Sequence, residues 1–252
     1  MRFVRFAIGS TIGYGVLHGD EVRAITTTPF LPWELTDERF SMDEVRVLSP
    51  VLPSKVVAVG LNYADHAEET GKPLPSEPMI FMKPSTSVIG PGETILLPRQ
   101  SERVDHEAEL AIVMGKAARD VRAEDAADVI LGYTCANDVT ARDLQSRDVQ
   151  FTRAKGFDTF CPLGPHVDTD VDPSSLSITC RVNGEVRQDS DTSQLVFPPA
   201  VLVEFISSVM TLLPGDVIVT GTPSGIGPIV EGDVCEVEIG GIGTLSNRVA
   251  AR

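Results

Sequence analysis

Basic residues are scarce in this sequence of 252 residues: 21 Lys and Arg stand against 36 Asp and Glu, for a formal charge of −15. A surface of that sign repels phosphate backbones and anionic lipids at long range, which argues against nucleic acid or a membrane surface as partner. Cysteine is sparse as well. Cys135, Cys161, Cys180 and Cys235 lie far apart with no C-x-x-C pair, against both a zinc knuckle and a disulfide framework. The four histidines form no H-E-x-x-H, so a zinc hydrolase lacks its ligands. No apolar run reaches transmembrane length, and MRFVRFAIGS lacks the apolar core of a signal peptide. A reducing cytoplasm is the expected compartment. There is no internal repeat and no low-complexity tract.

What is present begins with a hydrophobic content of 42%, enough for a full core. The most informative stretch is VDHEAELAIVMG, residues 104–115. In an extended strand positions i and i+2 share a face, so Glu107 and Glu109 project the same way with Asp105 behind them. Two carboxylates about 6 Å apart at an effective dielectric near 20 repel by roughly 2.8 kcal/mol. A bound cation removes that cost, and so does solvent at an exposed strand end. The run LAIVM that follows reads as a strand buried on both faces, which puts the acids at its mouth.

Along the chain, residues 1–26 alternate in short polar and apolar segments and predict a small antiparallel meander. Residues 27–53 read as a connector with one short helix and a boundary near Pro53, dividing a small N-terminal region, 1–52, from the remainder, 53–252. KVVAVG predicts a strand, and the polar segment after it carries His66 and Glu69 three apart, one face of a helical turn. A carboxylate beside an imidazole orients the ring and raises its basicity, as a general base requires; helical surfaces also carry such pairs without function. Bounded by Gly60 and Pro73, residues 62–77 are expected to form a mobile lid. KAARDVRAEDAADVI predicts a turn and a helix.

LGYTCAND delivers Asp138 at a strand end. Thr140 and Asp143 then have the S/T-x-x-D spacing of a helix start, which places Arg142 and Gln145 on the first turn. Lys155, one of five lysines, is flanked by Ala and Gly, and reads either as a cation beside an anion pocket or as a solvated loop residue. Asn183-Gly184 predicts a hairpin turn. PPAVLVEFISSV predicts a core helix over about 199–210. TGTPSGIG lacks the pattern of a phosphate loop; its backbone N–H groups and Thr220 and Thr222 can instead serve a carboxylate, or simply build a tight turn.

Together GLNYADHAEE, HEAELAIVMGK, GYTCANDVTARDLQ, KGFDTFCPLGP and LLPGDVIVTGTPSGIG resemble, in order and over about residues 53–250, the motifs of the fumarylacetoacetate hydrolase family. The resemblance implies an α+β, β-rich fold, a rolled mixed β-sandwich with few helices that is usually a homodimer. It implies one Mg²⁺ or Mn²⁺ per subunit held by Glu107, Glu109 and Asp138, oxygen ligands suited to a hard cation. His66, Glu69 and Lys155 correspond to catalytic positions, and Arg142, Gln145 and Thr222 to substrate contacts.

The activity so implied acts on a small 2-oxo or β-diketo acid through a metal-stabilised enolate. Hydrolysis of a carbon–carbon bond or decarboxylation of oxaloacetate is the leading expectation. Isomerisation of 2-hydroxyhepta-2,4-diene-1,7-dioate is the alternative, and a non-catalytic metal-binding protein is the reading from another class. Leu61 departs from some decarboxylating relatives, which carry Arg there, so the preferred substrate charge does not carry over.

Overall fold

The computed structural model describes residues 1–71 and 73–252; Lys72, inside the expected lid, lies outside the described residues. Twelve strands form one mixed sheet. Its main path runs Leu35–Ser41, Glu21–Ile25, Thr11–His18, Arg2–Ile8, Cys161–Asp168, Ile130–Asn137, Ala108–Met114, Val217–Val219, Val56–Gly60 and Met79–Lys83. A five-stranded sheet packs against it, in the order Glu185–Asp191, Ser177–Val182, Val234–Ile239, Gly243–Ala251 and Thr94–Leu97. The strands Thr140–Ala141, Val104–His106 and Gly227–Pro228 make a third, three-stranded sheet. With only short helices outside the sheets, this is the β-rich rolled sandwich that the motifs imply.

The strand Ala108–Met114 is buried at every position, as its unbroken apolar run predicts. Leu110 faces the five-stranded sheet, against Ile178, Val237, Ile239 and Leu245. Ile112 and Met114 face helix Pro199–Val209, which opens on a proline suited to a first turn and buries Leu202, Val203 and Ile206. The Asn183-Gly184 turn joins its two strands with φ of 55° and 80°, both positive as a type I′ hairpin requires.

Two expected helices are replaced. The connector after residue 27 forms the strands Leu35–Ser41 and Arg46–Leu48, because Phe40 packs on Phe6 and strand pairing with the meander satisfies the backbone. Residues Ala123–Asp128 form a 3₁₀ turn, a segment too short to sustain α-helix and pinned by Ala126 against helix Pro199–Val209. The N-terminal meander continues the large sheet, since Arg2–Ile8 pairs antiparallel with Cys161–Asp168. Among the described residues no helix is long and apolar enough to cross a membrane.

Candidate active site

Glu107 occupies the junction between Val104–His106 and Ala108–Met114. Its N–H donates to Asn137 Oδ1 at 3.0 Å and its carbonyl accepts from the Asp138 N–H at 2.9 Å. Because Ala108 pairs with Asn137, the acids of one strand and Asp138 after the next emerge at the same end of the sheet. Ligand atoms of Glu107, Glu109 and Asp138 all lie within 4.8 Å of one another, and all three residues are buried.

Cations meet two of these acids directly. Lys155, last residue of the helical turn Thr152–Lys155, is buried and donates to Glu107 Oε2 at 2.7 Å and Asp138 Oδ2 at 2.5 Å. Lys83, wholly buried, donates to Asp138 Oδ1 at 2.5 Å. Arg142 reaches Glu107 with Nη2 and Asp105 Oδ2 with Nε at 2.9 Å, and its Nη1 donates to Gln145 Oε1 at 2.6 Å. Burial pushes the Glu107 carboxyl up, but Lys155 and Arg142 outweigh it and hold it at about 2. Burial likewise pushes Lys155 down, and the charges of Asp138, Glu107 and Glu109 overcome it and raise its pKa.

Glu109 is different. Among the described residues its bonded partner is the Gly221 N–H, at 2.7 Å. Burial, then the charges of Asp138 and Glu107, push its carboxyl well above the usual range. The cluster is therefore short of positive charge at Glu109, and three buried oxygen donors converging there fit a hard divalent cation. Gly221 is required at its position: φ is 98°, and a Cβ would stand 2.8 Å from Asn62 Cβ.

Beside the acids opens a pocket of about 340 Å³ whose walls include His66, Glu107, Glu109, Arg142, Gln145, Lys155 and Thr222. His66 and Glu69 lie on helix Ala64–Thr70, with Nδ1 and Oε2 2.9 Å apart. Glu69 Oε1 also accepts from the Gly225 N–H at 3.0 Å, and Asp65 accepts from Ser190 at 3.0 Å. Leu61, Met79, Phe81, Phe151 and Ile226 supply the apolar part of the wall. Lys155 Nζ stands 5.3 Å over the Phe81 ring, and Phe151 meets the Phe81 edge.

The fold thus gathers eight of the nine candidate residues around one cavity or its acid cluster, with Glu69 attached through His66. Several details differ from the sequence reading. Thr140 is no helix cap: it lies in the strand Thr140–Ala141, shares its hydroxyl proton between the Asp138 carbonyl at 2.8 Å and Glu107 Oε1 at 3.1 Å, and the helix begins at Arg142. Asp143 accepts from Ser101 Oγ at 2.5 Å and so serves a neighbouring loop. Lys155 is no loop lysine. Arg142 gives three of its five N–H groups to Asp105, Glu107 and Gln145, so it braces the acids while it lines the pocket.

Residues outside the sequence reading also matter. Lys83 had one local signal, a cation inside the apolar run MIFMK. Gln188 had none; it accepts from the Ala108 N–H at 2.9 Å across 80 residues of chain. Asn62, wholly buried, donates to the Thr220 and Phe197 carbonyls at 2.7 and 3.0 Å, tying the base of the His66 helix to the Gly221 loop.

A family model for the fumarylacetoacetate hydrolase C-terminal domain matches residues 55–250, and a separate N-terminal model matches residues 1–50. Human mitochondrial oxaloacetate tautomerase is 45% identical over 88% of this chain and 72% of its own. The crystal structure of 2-hydroxyhepta-2,4-diene-1,7-dioate isomerase from Mycobacterium marinum is 46% identical with a TM-score of 0.94, covering 100% of this chain and 99% of that one. Maleylpyruvate hydrolase from Sphingobium sp. SYK-6, solved with manganese(II) and pyruvate, is 32% identical with a TM-score of 0.83 at 100% and 99% coverage. With its ordered motifs, its buried acid cluster and these matches, the chain belongs to the fumarylacetoacetate hydrolase family.

Proposed function

We propose that this protein is a divalent-cation-dependent enzyme that moves protons on a small 2-oxo acid, interconverting keto and enol forms or shifting a conjugated double bond. The observation that carries this reading is one pocket holding an oriented imidazole and a cation-braced acid cluster. Among the described residues the lining has no cysteine, and the Ser146 hydroxyl donates to the Arg142 carbonyl at 3.1 Å.

Glu107, Glu109 and Asp138 would hold a Mg²⁺ or Mn²⁺ ion, which would supply Lewis-acid polarisation to a 2-oxo acid. The chain's own residues do the rest. Glu69 Oε2 accepts a hydrogen bond from the His66 Nδ1–H, which fixes the tautomer whose Nε2 carries the basic lone pair. That nitrogen exchanges a proton with the carbon beside the ketone, the general acid–base step of an enolisation. Lys155, kept charged by its three acids, draws the anionic substrate to the pocket. Met79, Phe81 and Phe151 exclude water around it.

The similarity to the tautomerase and the isomerase, at 45% and 46% identity, supports proton transfer ahead of the hydrolysis or decarboxylation that the motifs first suggest. Hydrolysis of a β-diketo acid is the second reading, favoured by the same His66–Glu69 pair, which can equally activate water, and by the likeness to the maleylpyruvate hydrolase.

The test is to follow the ultraviolet absorbance of enol-oxaloacetate with the Mn²⁺-loaded enzyme, and to analyse acetylpyruvate for acetate release in parallel. Accelerated enol loss without CO₂ or acetate is expected, abolished in His66→Ala with metal affinity intact. Acetate release with no effect on the enol would replace this reading with the second.

A further inference from the structure

Gln188 is a buried amide in the strand Glu185–Asp191, and its four contacts leave its orientation no freedom. The Ala108 N–H is a donor only and reaches Oε1 at 2.9 Å. The Pro223 carbonyl is an acceptor only and faces Nε2 at 2.9 Å. Exchanging the amide's oxygen and nitrogen would break both bonds. His106 Nδ1 stands 3.1 Å from the same Oε1 and donates there, a second donor that holds the oxygen in place.

The remaining Nε2 hydrogen points at Thr222 Oγ1, 2.7 Å away. A threonine hydroxyl in isolation can donate or accept. Here its oxygen already accepts, so its own proton is turned away from Gln188. Thr222 lines the pocket, and no acceptor among the described residues takes that proton. The pocket's two strong cations, Arg142 and Lys155, are both engaged with carboxylates. Thr222 then adds to them a neutral donor whose direction is preset for a ligand carboxylate.

Resting on the reading above, we propose that Gln188 is a positioning residue: it converts the Thr222 hydroxyl into a dedicated donor for an anionic oxygen of the bound 2-oxo acid. Thr222 is the residue that touches the ligand, and Gln188 acts only through it. An ionised acceptor makes this a charge-assisted bond.

The experiment measures oxalate binding to the Mn²⁺-loaded full-length protein by calorimetry, in a double-mutant cycle. Thr222→Val should weaken oxalate by about tenfold or more, and Thr222→Ser should restore most of it. Gln188→Glu presents an acceptor where Nε2 donated, which draws the Thr222 proton out of the pocket. It should weaken oxalate by roughly tenfold in the native background and by under about threefold in the Thr222→Val background. Thermal melting of the metal-free variants checks folding, and Gln188→Met in the same cycle stands in should Gln188→Glu fail to fold.

An equal loss in both backgrounds would assign Gln188 a general structural or electrostatic role and overturn the proposal. So would Thr222→Val binding oxalate as tightly as the native protein, with the functional reading left standing. Mn²⁺-loaded native protein that binds no oxalate would remove both.

Discussion

Glu109→Gln separates the cost of the acid cluster from its use. With ligand atoms within 4.8 Å, each ionised pair at an effective dielectric near 20 repels by about 3.5 kcal/mol or more. Glu109 answers with a raised proton affinity, its carboxyl pushed well up by burial, Asp138 and Glu107. The glutamine side chain imitates that protonated acid and still accepts from the Gly221 N–H. Metal-free Glu109→Gln should therefore match the native protein in stability to within about 1 kcal/mol at pH 7.

The sign with pH follows. Glu109 takes up its proton more readily folded than unfolded, so its contribution is complete below the ordinary carboxylate range and fades as pH rises through the raised value. The metal-free native protein should lose stability over that interval, and the variant should not. Divalent metal reverses the ranking. At a hundredfold excess over Kd it stabilises the native protein by about 2.7 kcal/mol, a rise in Tm of roughly 5–11 °C at this chain length. Glu109→Gln should forfeit most of that rise.

Calorimetry in two buffers of different ionisation enthalpy should count about one proton released per metal bound by the native protein and none by the variant. A metal-free variant destabilised by more than about 2 kcal/mol, or native binding without proton release, would refute the reasoning.

Lys83→Met, which strips a wholly buried cation from Asp138, should cost about 3–5 kcal/mol in urea unfolding without metal, and saturating Mn²⁺ should narrow the gap; a loss under about 1 kcal/mol would contradict that role. Gly221→Ala forces a left-handed φ of 98° and a 2.8 Å contact on the loop that serves Glu109, so metal affinity should fall together with about 1–3 kcal/mol of stability, and an unchanged Kd would count against the loop's part in the site. His166 is held down to about 4, by burial first and then by Arg2, so between its ordinary 6.5 and 4 the unfolded chain binds a proton that the folded one does not. Stability should drop by about 2 kcal/mol from pH 7 to pH 5, and His166→Asn should lose most of that dependence if denaturant curves at the two pH values bear the assignment out.

Part of this protein was legible in the residues alone, because some relations are set by backbone geometry over a few positions. The two-residue repeat of a strand puts Glu107 and Glu109 on one side, and the turn of a helix brings His66 to 2.9 Å from Glu69. An Asn-Gly pair demands its hairpin, and the ordered motifs are sufficient to name the family and its β-rich fold. The distant partners were not legible. Thr140 has the spacing of a cap, yet its one hydroxyl proton lies between the Asp138 carbonyl at 2.8 Å and Glu107 Oε1, 33 residues away, at 3.1 Å, since a buried carboxylate and carbonyl draw as a donor the hydroxyl that a cap would have used as an acceptor.

Local pattern says nothing of Gln188, whose meaning comes from Ala108 and Thr222 on other segments. Nor does it say which acid of the cluster lacks a counter-charge. Lys83, Lys155 and Arg142 arrive from three separate elements, and the sum of their fields, steep with distance and magnified by burial, leaves Glu109 as the acid whose proton affinity is raised. Sequence determined which residue types stand at the strand mouth and on the helix face. Tertiary structure decided their charges and the direction of their protons, because electrostatics and hydrogen bonding act through space among groups far apart along the chain.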